Sequence, residues 1–110
     1  MTRITFEKER NSVGYRCFQF EGHAGFAKKG DDIVCAALSV LVINTINALC
    51  ELCDSSAVVI SDEEKGIIKC QMPSQQSEKE ILLVDALLMG AESIEKEYGK
   101  KYCIVTLREV

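Results

Sequence analysis

The 110-residue sequence predicts an α/β fold of the α+β kind: a two-layer sandwich with two helices on one face of a mainly antiparallel five-stranded sheet, in the order ββαββαβ. Three observations carry that expectation. Apolar residues alternate in five short segments, recur at helical spacing in two long ones, and turn-forming residues fall between them. With 47% hydrophobic residues and a single proline, the chain is long enough for one core and too short for two, so residues 1–110 are expected to form one domain.

Residues 2–8 alternate with Ile4 and Phe6 on one face, and residues 15–21 alternate with Phe18 and Phe20 on one face. Both read as half-buried strands joined through Asn11-Ser12-Val13-Gly14. From Ile33 to about Cys53 the spacing becomes helical, and Ala36, Ala37, Leu38, Val40, Leu41, Ile43, Ile46, Leu49 and Leu52 leave a narrow polar edge. That pattern predicts a mostly buried helix. Residues 57–61 and 67–72 read as a hairpin around the charged, glycine-terminated turn Asp62-Glu63-Glu64-Lys65-Gly66. Ser77 with Glu80 forms a capping-box signature ahead of a second helix that Gly99 stops. Residues 102–107 alternate as the last strand. Apolar Cys17, Met72, Tyr102 and Ile104 belong either to the core or to the sheet's second face, which a homodimer would cover.

The net charge is −4, which supplies no basic footprint for direct nucleic-acid binding. The first residues alternate and carry acid early, unlike the apolar core of an export signal, so the six cysteines are expected to be reduced cytosolic thiols. The longest apolar run, Ile33 to Ile43 with Ser39 inside it, is far short of the roughly 20 residues of a membrane span. A soluble, cytoplasmic protein without a membrane partner is the expectation.

One segment carries chemistry: Gly22-His23-Ala24-Gly25-Phe26-Ala27-Lys28-Lys29-Gly30-Asp31-Asp32-Ile33-Val34-Cys35. The single histidine follows a strand, and Cys35 sits in the first turn of a helix that Asp32 caps. A helix start favours negative charge, so a thiolate at Cys35 would be stabilised, with His23 as general base. The amides at the helix start are candidate donors to an oxyanion. Asp31 or Asp32 is placed to orient His23, and Ser39 follows Cys35 by one helical turn on the same face. A cysteine on an apolar helix is also commonly a small buried hydrophobe, and a lone histidine after a strand a loop residue.

The segment as a whole, Gly22-His23-Ala24-Gly25 followed by Gly30-Asp31-Asp32-Ile33-Val34-Cys35-Ala36-Ala37 and Ser39, closely resembles the ribosomal-processing cysteine protease (Prp) family of Firmicutes and related bacteria. The likeness extends to chain length and element order. It implies a cytoplasmic homodimeric endopeptidase that removes an N-terminal extension from large-subunit ribosomal protein twenty-seven. It also implies a dyad of His23 and Cys35, with Asp32 a better assisting candidate than Asp31. The family's substrates present a hydrophobic extension ending in aromatic residues before a small residue. Gly22, Ala24, Gly25, Phe26 and Gly30 then form a substrate loop able to open for the peptide and close over it.

No cofactor or metal is expected. Cys50-Glu51-Leu52-Cys53 has a metal-site gap but no second pair, and at 1.5 Å per residue Cys50 lies about 22 Å along the helix from Cys35. Cys17, Cys70 and Cys103 are expected to pack, and Glu92, Glu95 and Glu97 to form a solvated face. Two other readings stay open: a non-catalytic ribosome-assembly or binding dimer, and a thiol-redox protein using Cys35 or the Cys50/Cys53 pair.

Overall fold

The computed structural model describes residues 1–22 and 32–110. They form β1 (Thr2–Lys8), β2 (Tyr15–Gly22), α1 (Ile33–Leu52), β3 (Val58–Asp62), β4 (Ile67–Gln71), α2 (Glu78–Tyr98) and β5 (Cys103–Glu109). This is the expected element order. The sheet runs β3-β4-β2-β1-β5. Every pair is antiparallel except β1 with β5, which run parallel from Thr2↔Cys103 to Lys8↔Glu109.

Register explains which face is buried. Ile4 pairs with Phe20 and Phe6 with Phe18, while Phe18 pairs across to Cys70. Because side chains alternate along a strand, these residues share one face and are buried beneath the helices. Phe6 is the hub: its ring lies 5.8 Å from Phe18, 6.4 Å from Phe20 and 6.0 Å from Tyr15. Each such ring, fully buried, contributes about 2–3 kcal/mol relative to exposure. Val34, Leu38, Val42 and Leu49 from α1, with Val84, Leu87 and Ala91 from α2, close the core.

Two departures from sequence reasoning concern α1. Its buried residues form a single stripe, Val34, Leu38, Val42, Thr45 and Leu49, while Ile33, Val40, Ile43 and Leu52 are exposed. The helix is therefore not mostly buried, because a two-layer sandwich covers one side with the sheet and another with α2 but leaves the third open. The helices approach closely at Gly90, where a Cβ would meet Leu41 Cδ1 at 3.1 Å. The helix reaches Leu52 as expected, but where the apolar run to Ile43 alone is too short, the whole of α1, at 20 residues and a mean hydropathy of 2.2, is long and apolar enough by composition to cross a membrane. A core helix passes the same test, and the buried stripe shows α1 serving as one.

The caps form as expected. Asp32 accepts the Val34 and Cys35 amides, each at 3.0 Å. Ser77 and Glu80 make a full capping box, and Glu80 also accepts the Ser55 hydroxyl at 2.7 Å. These bonds, the Ser77 amide foremost, hold the Glu80 carboxyl below its ordinary range despite burial. Gly99 ends α2 at φ +101°. The Gln76 side chain takes the Tyr15 amide and donates back to its carbonyl, standing in for a strand neighbour. Glu95 is not merely solvated as expected, since it is half-buried and accepts the Val105 amide at 2.7 Å, tying α2 to β5. Met72 and Tyr102 pack against the core.

Candidate active site

The site lies where several elements end together. β1 starts there with Thr2, β2 finishes with Gly22, α1 begins beside Asp32, and the β3–β4 turn closes the far side. A cleft of about 420 Å³ opens among them, lined by Thr2 and Gly22 at one edge and Ser61, Asp62 and Glu63 at the other. Phe20, Leu38, Val42 and Ile68 supply apolar lining, and Cys35 and Ser39 line it from α1. Cys35 and Ser39 are thus brought together as their four-residue spacing implies.

Gly22 shapes the rim. Its φ is +97°, and a Cβ there would sit 2.6 Å from the Met1 carbonyl oxygen. Its amide donates to the Gly66 carbonyl at 2.9 Å, which extends the β2–β4 pairing by one rung and ties the end of β2 to the β3–β4 turn. Only a residue without a side chain tolerates both the backbone angle and the contact. The remaining sequence-derived candidates His23, Ala24, Gly25, Phe26, Gly30 and Asp31 lie outside the described residues.

Asp32 serves the site through the backbone. Its carboxylate receives the Val34 and Cys35 amides, and its carbonyl receives the Ala36 amide at 3.0 Å. The Val34 and Cys35 amides thus belong to the cap that positions Cys35, and the Ala36 amide makes the first intrahelical bond.

The six cysteines separate by environment. Burial pushes the Cys70 thiol up to about 12, and burial followed by a hydrogen bond to Glu7 pushes Cys17 up to about 11. The Cys17 thiol donates to Glu7 Oε1 at 3.1 Å. Burial, assisted by Glu95, raises Cys103 as well. These three are held protonated and so kept from nucleophilic work. Cys50 is exposed and Cys53 half-buried near the end of α1, away from the cleft. Cys35 is the thiol that lines it. Among the described residues, no group of three or more His, Cys, Asp or Glu side chains is arranged to hold a metal ion.

Sequence reasoning missed Thr2, Ser61, Asp62, Glu63 and Ile68 as cleft residues. They come from β1 and from the β3–β4 hairpin with its turn, which are remote in sequence, and only the sheet order brings them to one end; no local motif marks them.

Residues 1–103 match the sequence profile of the family described as cysteine protease Prp. This chain belongs to the cysteine protease Prp family. Similar Prp proteins include the ribosomal processing cysteine protease of Bacillus subtilis, 28% identical over 110 residues and matched across 96% of this chain and 97% of that one. The Staphylococcus aureus Prp is 26% identical over 80 residues, covering 73% of this chain and 76% of its own. Among solved structures, the Streptococcus mutans protein SMU.848 superposes with a TM-score of 0.86 at 29% identity, covering 100% of this chain and 96% of that one. The S. aureus Prp with a covalently linked product peptide gives 0.88 at 22% identity, over 98% and 100% of the two chains. That last likeness shows a shared Prp fold. Membership makes the chain a cysteine protease of the ribosomal-processing type.

Proposed function

We propose that residues 1–110 act as a single cytoplasmic protease domain that removes the N-terminal extension of large-subunit ribosomal protein twenty-seven, with Cys35 as nucleophile and His23 as general base. The observation that carries this reading is the position of Cys35: it lines an apolar cleft beside Gly22, the residue covalently joined to His23. In the proposed reaction the Cys35 sulfur attacks the scissile carbonyl and His23 takes the thiol proton. His23 then gives that proton to the leaving amine, and water releases the acyl group from sulfur. The apolar cleft suits a hydrophobic extension. Ser39, one turn from Cys35 on the cleft wall, is an assisting candidate, and Asp32 assists by holding the helix start. Gly22, Ala24, Gly25, Phe26 and Gly30 act as the substrate loop.

The printed names of the B. subtilis and S. aureus relatives, ribosomal processing proteases, support the substrate class. A homodimer is supported by apolar side chains on the outer helix surface, Val40, Ile43 and Met89, all exposed. That same surface would serve equally in the alternative reading, a ribosome-assembly dimer. Incubating the protein with extended ribosomal protein and following the mass of the product separates the two. Cleavage that is lost in both Cys35→Ser and His23→Ala, with folding intact by circular dichroism, is the expected result. Undiminished cleavage in either variant removes the dyad, and none by the unmodified protein leaves the assembly reading.

A further inference from the structure

β3 is the edge of the sheet, paired on one side with β4. Among the described residues no strand lies beyond it. Natural edges are protected by charge, proline, a bulge or a covering element. β3 has no proline and a single charged residue, Asp62 at its cleft end, and its Val58, Val59 and Ile60 are 55%, 42% and 50% exposed. An apolar, solvent-facing edge whose one charge lies at its end is a template for another extended chain.

The end of this edge decides the occupant. Ser61 and Asp62, the last residues of β3, line the cleft that holds Cys35. A strand laid along β3 therefore continues directly into the cleft. A peptide must be extended to be cut, and the proposed substrate offers an apolar segment of that kind. We propose that β3 is a docking strand, to which the substrate's extension adds by backbone pairing so that its scissile bond reaches Cys35. This rests on the protease reading and specifies how that same site selects its substrate. Five residues at about 3.3 Å each give a track of roughly 17 Å, so about five peptide residues to one side of the scissile bond are engaged.

Backbone pairing leaves a signature that side-chain contact does not. Along an added strand, alternate amides face the sheet. The test uses synthetic peptides of the extension, each N-methylated at one successive position, and measures their affinity for Cys35→Ala by fluorescence anisotropy, with turnover by the unmodified protein alongside. The expected result is an alternating profile, with affinity falling about tenfold at every second position over some five residues, the loss of one backbone hydrogen bond each. A flat profile, or no binding, overturns the proposal. Alternation in binding without turnover keeps the docking strand and removes the protease reading, whereas turnover without alternation does the reverse. In Ile60→Lys, peptide affinity is expected to fall with sedimentation unchanged. A shift from dimer to monomer with peptide affinity retained would assign β3 to a second copy and overturn the proposal as well.

Discussion

Replacing Gly22 by alanine tests how the cleft rim is built. Two costs combine there, and the chain contains a control that separates them. Gly99 has nearly the same backbone angle, φ +101°, but nothing lies within 4 Å of its would-be Cβ. Gly99→Ala therefore measures backbone strain alone, about 1–3 kcal/mol. Gly22→Ala adds a methyl group 2.6 Å from the Met1 carbonyl oxygen. Relief requires the start of β1 to move, at the expense of the Thr2 amide's 3.0 Å bond to the Tyr102 carbonyl. A weakened backbone hydrogen bond adds about 1 kcal/mol. At about 4 °C of melting temperature per kcal/mol for a domain of this size, Gly22→Ala should melt at least about 4 °C below Gly99→Ala. Urea unfolding of the two variants with equal m-values makes the comparison quantitative. Proteolysis should also fall further in Gly22→Ala, because it alone alters the rim that carries residue 23. Equal stability loss in both variants would refute the reasoning, since it would mean that the Met1 contact constrains nothing.

Three other perturbations have defined outcomes. Asp32→Ala should cost about 1–2 kcal/mol as the α1 cap is lost, whereas Asp32→Asn should retain most of that stability, so reduced cleavage in the asparagine variant would isolate a role for the charge. The depressed Glu80 carboxyl contributes stability that is fully present above the unfolded value near 4.5 and disappears as pH falls through the lower folded value; urea midpoints measured across that window should fall more steeply in the unmodified protein than in Glu80→Gln. Leu87→Ala, at a side chain with 1% exposure, should lose about 2–5 kcal/mol, while Leu82→Ala, on the same helix but 66% exposed, should stay within about 0.5 kcal/mol in chemical denaturation.

What could be read in advance follows from how local each signal is. The alternation of Ile4 with Phe6 and of Phe18 with Phe20 marks strands because a pleated chain buries every second residue. Ser77 with Glu80, Asp32 and Gly99 mark helix ends because caps are made within a few residues of one another. The parallel pairing of β1 with β5 leaves no such trace, since its partners lie some hundred positions apart. Val40 and Ile43 look like core residues in the sequence, and only the finished packing shows that they face outward. At the site, Cys35 and Ser39 were legible as one helical face. Thr2 and Ser61 were not, because only the order of strands in the sheet brings them to that end of the molecule.

The parallel alignment of the first and last strands has a practical outcome for handling the protein. Thr2 lies beside the cleft, while Val110 bonds Lys8 at the opposite end of the strand pair, about 20 Å away for strands of this length. An affinity tag or fluorophore fused ahead of Met1 would emerge at the mouth where peptides enter and compete with them. The same fusion after Val110 would issue from the remote side, leaving that entrance clear for kinetic work or immobilisation.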